Sequence, residues 1–204
     1  MKNTHEKILE EALNLFSKYG YAGTSVQDLG AAVGIKAPSL YKHFESKRAI
    51  YDEVVRRGEN AYKEALEEIK ENGPEKIRAE KESTGKIVDY LVNMEKSRFK
   101  RYLSNAPLAK NRRFNRLEVY HDRKNAKSFV NKYYLSAVEF YKEVFAVAFD
   151  MEGQDEEVEW MAQKYVGLVS TGLSLCDALP GKQSYVLGLI EKQLREFAEE
   201  RGAE

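Results

Sequence analysis

Apolar residues recur along this chain at three- and four-residue spacing, and no stretch alternates as a half-buried strand would, so the pattern predicts an all-α protein. Ile8, Ala12, Leu15, Phe16 and Tyr19 form a first stripe before Gly20 and Gly23 turn the chain. Val26, Leu29 and Val33 form a second, and Leu40 and Phe44 a third. Ile50, Val54, Ala61, Ala65 and Ile69 predict a long helix from about residue 46, stopped by Asn72-Gly73-Pro74. A further helix is predicted from about 75 to 94, weakened at Gly85, and short helices with loops from 97 to 122, broken at Asn105-Ala106-Pro107. Residues 124–150 read as one helix, closed by Glu152-Gly153; two more are predicted at 155–178 and 182–201, divided by Leu179-Pro180-Gly181.

The second and third stripes carry the most specific local chemistry. Thr24 or Ser25 can cap the second helix, with Gln27 three residues after Thr24 as in a capping box. Gly34 supplies the left-handed residue that ends it, and Pro38 falls in the first turn of the next helix, where a missing N–H costs nothing. That next helix, predicted over Ala37 to Phe44, turns Leu40 and Phe44 inward and leaves Lys42 and His43 outside. Two short helices around a glycine turn, the second polar and basic, are the arrangement that places a helix N-terminus against base edges. Ser46 looks like the next N-cap, yet Lys47 follows it, and a cation there opposes the helix dipole unless an anion such as a DNA phosphate sits between them. A plain packing hairpin would have no use for that basic surface.

The pattern Thr24-Ser25-Val26, Leu29, Gly34-Ile35, Ser39-Leu40-Tyr41-Lys42-His43-Phe44, Ser46-Lys47 resembles the DNA-binding domain of the tetracycline-repressor (TetR) family of transcription regulators, over about the first quarter of the chain. The resemblance implies an N-terminal three-helix helix-turn-helix domain at 1–46, a connecting helix at about 46–72, and a larger helical effector-binding and dimerisation domain within 47–204. It implies a homodimer on a palindromic double-stranded DNA operator, released by a small molecule. The DNA-binding residues it implies are Thr24, Ser25, Gln27, Lys36, Ala37, Pro38, Ser39, Tyr41, Lys42, His43 and Lys47. Two departures stand out. Gly30 replaces the usual Ala, which makes sense only if the two helices cross closely there, and Arg48 replaces a common acidic residue, strengthening the positive field.

Composition narrows the rest. The 204 residues carry 33 basic and 33 acidic side chains, which excludes a generally basic nucleic-acid coat. The charge is segregated: from Lys96 to Lys132 basic residues dominate, Arg98, Arg101, Arg112, Arg113 and Arg116 among them, whereas Glu152 to Glu159 and the final helix are acidic. A single cysteine, Cys176, and the lack of a leader or spanning run predict a cytoplasmic protein with no membrane partner, and the resemblance implies a bacterial, nucleoid-associated one.

In the last two helices Tyr165, Leu168 and Gly172 lie on one broad stripe, and Leu187, Ile190, Leu194 and Phe197 repeat at four-three spacing. An intramolecular core and a subunit interface both account for that seam; the resemblance, which implies a four-helix bundle across the dimer axis, favours the interface. Tyr90, Met94, Phe99, Tyr102, Tyr120, Phe129, Tyr133 and Tyr141 are the candidate lining of an effector cavity, and aromatic core is the plainer reading of the same residues. The effector expected is apolar or amphipathic, and the arginines admit an anionic head group such as that of an acyl-coenzyme A, although a solvated basic face explains them as well. Control by a protein partner is the alternative. No metal, cofactor or catalytic role is expected: His5, His43 and His121 lack ligand spacing or a nearby nucleophile, and Cys176 reads as packing.

Overall fold

The computed structural model describes residues 3–71, 73–84, 86–119, 126–127 and 129–202. Its elements are α1 (Thr4–Tyr19), α2 (Val26–Val33), α3 (Ala37–Leu40), α4 (Lys47–Glu71), α5 (Pro74–Thr84), α6 (Ile87–Ser104), α7 (Ala106–Val119), a π-helical stretch (Val130–Leu135), α8 (Ser136–Ala148), α9 (Glu156–Ala178) and α10 (Gln183–Glu200). No strand occurs among the described residues. None of the described helices is long and apolar enough to cross a membrane.

The chain divides into two compact units, the first from residues 1–65 and 105–129, the second from 66–104 and 130–204. In the first, Ile8, Leu9, Ala12 and Phe16 of α1 close over Leu29, Val33, Leu40, Ile50, Tyr51 and Val54. The division read from the sequence, at residue 46, does not anticipate the last member of this core. Phe114 of α7 is fully buried there, its ring 5.7 Å from Phe16 and 5.4 Å from Tyr51. Glu118, also on α7, accepts the Tyr21 N–H at 3.0 Å and the Tyr51 hydroxyl at 3.4 Å. The described part of the segment predicted as short helices and loops, up to Val119, is two regular helices: α6 runs on to Ser104, and Asn105 caps α7 by accepting the Leu108 N–H at 3.1 Å. Its basic residues hid the period, because only a narrow stripe, Leu108, Ala109, Asn111, Phe114 and Glu118, is buried.

The second unit packs α8 on α9, α6 on α10, and α5 on both α6 and α8. Its core holds Phe145, Tyr165 and Phe197, with Phe145 5.5 Å from each of the other two rings. The helix expected over 75–94 is two helices, α5 and α6; Pro74 opens α5 in a position that needs no N–H. The single helix expected over 124–150 is likewise divided, with the π-helical stretch ahead of α8. Asp155 caps α9 by accepting the Glu157 N–H at 2.9 Å, and Glu156, Glu157 and Glu159 stand in its first turn, where the helix dipole favours them. Ion pairs from Lys96 to Glu191 and from Arg195 to Asp89 join α6 to α10.

Candidate nucleic-acid interface

Local chemistry builds the α2–turn–α3 unit. Ser25, not Thr24, is the N-cap: its hydroxyl accepts the Asp28 N–H at 3.0 Å while Asp28 accepts the Ser25 N–H at 2.8 Å, a reciprocal box in which Asp28 takes the part expected of Gln27. The Ser25 hydrogen bonds hold the Asp28 carboxyl below its ordinary pKa. Thr24 is buried instead, its hydroxyl donating to the Gly20 carbonyl at 2.9 Å. Gly34 takes the left-handed conformation, φ 81° and ψ 30°, and ends α2. Gly30 is close-packed as its helix-weakening presence implies: a β-carbon there would lie 2.8 Å from the Ile35 carbonyl oxygen and 3.4 Å from the Ala37 nitrogen. Lys7 donates to the Val33 carbonyl at 2.8 Å, satisfying the end of α2 from α1.

The second helix is shorter than the Ala37 to Phe44 expected. α3 proper covers Ala37–Leu40, and hydrogen-bonded turns carry the chain onward, with the Phe44 N–H on the Leu40 carbonyl at 3.1 Å. Leu40 is buried, and Phe44 packs against the core with its ring stacked on His5 at 4.4 Å. The outer surface is formed by exposed Gln27, Lys36, Pro38, Tyr41, Lys42 and His43, with Ala37 and Ser39 half-buried beside them. These side chains converge because the inward residues of α2 and α3 share one core.

Two cations behave differently from their sequence reading. Lys47 does not stand free at the start of α4: its ammonium donates to the Tyr21 carbonyl and lies 4.1 Å from that ring centroid. Partial burial lowers its pKa, against the pull of Glu118 and Asp28. Arg48 is paired with Asp52 at 2.9 Å, which offsets the extra positive charge. Ser46 does cap α4, accepting the Ala49 N–H at 3.1 Å.

In the second unit, six of the seven residues assigned to a dimer seam are core. Tyr165, Ile190, Leu194 and Phe197 are fully buried within one chain, Leu187 nearly so, and Gly172 lies against Val186. Only Leu168 is half-exposed. The four-three seam of α10 packs on α6 and α9 of the same chain. The large apolar side chains left exposed along this part of the chain are Trp160, Leu179 and Tyr185, at 52%, 51% and 59% exposure.

The effector candidates differ in burial. Phe99 and Tyr141 are buried, Tyr90, Met94, Tyr102 and Tyr133 half-buried, Phe129 belongs to the first unit, and Tyr120 lies outside the described residues. A groove of about 700 Å³ is lined by Arg78, Lys81, Glu82, Ala146, Val147, Asp150 and Met151, none of them predicted. The sequence reading also missed a buried polar network. Glu95 accepts the hydroxyls of Tyr141 at 2.6 Å and Tyr165 at 2.9 Å, and pairs with Arg98 at 2.6 Å. Burial opposes the Arg98 charge, but Glu95 and the two tyrosines outweigh it and raise its pKa; burial pushes both tyrosines well above their ordinary value. Arg98 reads in sequence as part of a solvated basic face, and nothing local distinguishes a buried i,i+3 pair with Glu95 from an exposed one.

Comparison with known proteins agrees with this geometry. The family described as bacterial regulatory proteins, tetR family, matches residues 8–54. The biofilm operon icaADBC HTH-type negative transcriptional regulator IcaR of Staphylococcus aureus (strain Newman) is 47% identical over 51 residues, 25% of this chain and 27% of that protein. IcaR of Staphylococcus epidermidis is 44% identical over 50 residues, 24% of this chain and again 27% of the relative. The match therefore spans about a quarter of the length of these curated relatives. Over the whole chain the fold is shared with a TerR/AcrR-family transcriptional regulator from Aquifex aeolicus VF5, at TM-score 0.57, 19% identity and coverage of 97% and 98%. It is shared also with a TetR-like transcriptional regulator from Rhodococcus sp. RHA1, at TM-score 0.59, 16% identity and coverage of 96% and 97%. Residues 8–54, the N-terminal helix-turn-helix, are therefore a domain of the kind found in the tetR family of bacterial regulatory proteins.

Proposed function

We propose that the chain is a repressor that binds a palindromic operator as a homodimer and releases it when a small molecule occupies the second unit. The observation that carries the DNA-binding part is the single exposed surface of Gln27, Lys36, Pro38, Tyr41, Lys42 and His43 over a closed core. In this reading Gln27, Ala37, Pro38, Ser39 and Lys42 approach base edges, whereas Tyr41 and His43 meet phosphates and fix the register. Thr24 and Lys47 support the turn from inside. Repression is inferred from the negative regulators to which residues of this domain are similar.

Dimerisation is assigned to the outer face of α9 and α10, where Gly167 and Gly188 have open space around them and half-exposed Leu168, Leu175 and Leu189 accompany Tyr185. Ligand control needs differential affinity: a molecule that favours the non-DNA-binding state about 100-fold weakens operator binding by about 2.7 kcal/mol, whatever its absolute affinity. The test is DNA adjacent to the protein's own coding region. Binding that survives excess unrelated DNA, with protection of two related half-sites, supports the reading; equal affinity for unrelated DNA rejects it.

A further inference from the structure

The polar network of the second unit ends on an unpaired donor. Glu95 already holds three donors, its Oε2 accepting from Tyr141 and Tyr165 and its Oε1 from Arg98 Nη1. The same Nη1 donates to the Tyr141 hydroxyl oxygen at 2.7 Å. Arg98 Nη2 is buried and has no acceptor among the described residues. A buried charged donor left in that state is unfavourable, and native interiors rarely keep one without a reason.

Two aromatic rings flank this guanidinium. The guanidinium carbon stands 5.2 Å from the Phe140 ring centroid and 5.7 Å from that of Tyr141. Met94 and Tyr102, four residues to either side of Arg98 on α6, share its helix face and are half-buried like it. α6 packs chiefly on α5 and α10, and α8 on α5 and α9, so side chains led by Arg98 and Tyr141 bridge the approach between α6 and α8.

We propose that Arg98 Nη2 receives an uncharged acceptor oxygen, the carbonyl of a ketone, ester or amide, from an apolar molecule resting against Phe140, Met94 and Tyr102. The proposal rests on the ligand-control reading above and names the chemistry of the ligand. Charge decides between acceptors. Glu95 already neutralises Arg98, so a carboxylate would bring an uncompensated negative charge into a buried site, whereas a carbonyl completes the donor set at no such cost. The aromatic and thioether surroundings supply the contact area, and the one polar atom supplies orientation.

The experiment uses the full chain and three probes of like shape: benzophenone, diphenylmethane and diphenylacetate, titrated by calorimetry without DNA. Benzophenone is expected to bind about tenfold more tightly than diphenylmethane, with diphenylacetate weaker than benzophenone. Arg98→Met with Glu95→Gln removes the ion pair as a unit, and the ketone preference should fall to about twofold or less. Met94→Trp lies outside the network and should abolish binding of benzophenone while circular dichroism stays unchanged. Equal affinity of wild type for ketone and hydrocarbon, a preference that survives the double substitution, benzophenone binding that survives Met94→Trp, or failure of benzophenone to bind would each overturn the proposal. Operator binding is read separately by fluorescence anisotropy. Ketone binding that leaves the operator occupied keeps this site and removes ligand control. Release by a compound that acts equally on the double variant keeps ligand control and overturns the assignment to Arg98.

Discussion

A β-carbon at Gly172 would lie 2.4 Å from Cγ1 of Val186, so α9 and α10 of one chain meet here with no room for a methyl group. The small residue serves an intrachain crossing. Gly172→Ala should destabilise the second unit by about 1–3 kcal/mol despite alanine's better helix propensity, because a well-packed core resists added volume. Adding Val186→Ala should cost less than the sum of the single changes by about 1 kcal/mol in denaturant titrations. Strict additivity would place the contact elsewhere.

Charged residues distinguish the core seam from the outer face. Leu194→Glu or Phe197→Glu puts a carboxylate at a fully buried position and should abolish cooperative unfolding. Tyr185→Glu with Leu189→Glu should instead give a folded monomer, seen as native circular dichroism with a halved mass in sedimentation. A folded monomer from Leu194→Glu would restore the seam to the interface.

On the DNA-binding surface, Gln27→Ala and Lys42→Ala should reorder affinities among operator variants, while His43→Ala weakens all of them by a similar factor. Lys47→Ala should lower stability by about 1 kcal/mol, since the Tyr21 carbonyl loses its ammonium donor, and leave the salt dependence of operator binding as in wild type. A salt slope reduced by about one phosphate would place Lys47 on the DNA backbone instead.

The pH dependence has a predictable sign at each end. Burial raises the pKa of Tyr141 and Tyr165 in the folded state, so their protonated forms stabilise it fully below about pH 10, and stability is lost as pH rises above that. Tyr165→Phe releases one proton fewer on unfolding, and stability should fall less steeply with pH in that range, by about 1.4 kcal/mol per pH unit. Chemical unfolding at a series of alkaline pH values measures the slopes.

On the acid side, hydrogen bonds from Arg57 to Glu6, and from Arg56 and then Arg57 to Glu53, hold both carboxyls at about 2. Depressed values stabilise the fold above the ordinary carboxylate range, and that contribution disappears as pH falls from about 4.5 through about 2. Arg57→Ala should return Glu6 towards its ordinary value in an NMR titration and move Glu53 less, because Arg56 remains on it.

What the sequence determined by itself is the part governed by short-range chemistry. Ser25, Gly34, Pro38 and Ser46 mark helix ends through hydrogen bonds or backbone angles within a few residues, and the helix-turn-helix could be read from them. The bounds of α9 and α10 followed equally, from the Glu152-Gly153 and Leu179-Pro180-Gly181 breaks. Only the tertiary structure decided what each apolar stripe faces. Leu187, Ile190, Leu194 and Phe197 repeat at the spacing of a packed helix whether the partner is α6 and α9 of the same chain or another copy, since periodicity carries no address. Phe114 joins the first core far along the chain from its ring neighbours Phe16 and Tyr51, distances over which a narrow stripe in a basic helix gives no signal. Arg98 is the sharpest case. Its local sequence matches that of a solvated arginine, and burial among Glu95, Tyr141 and Tyr165 comes from three helices meeting, which turns an ordinary ion pair into a site with one donor unspent.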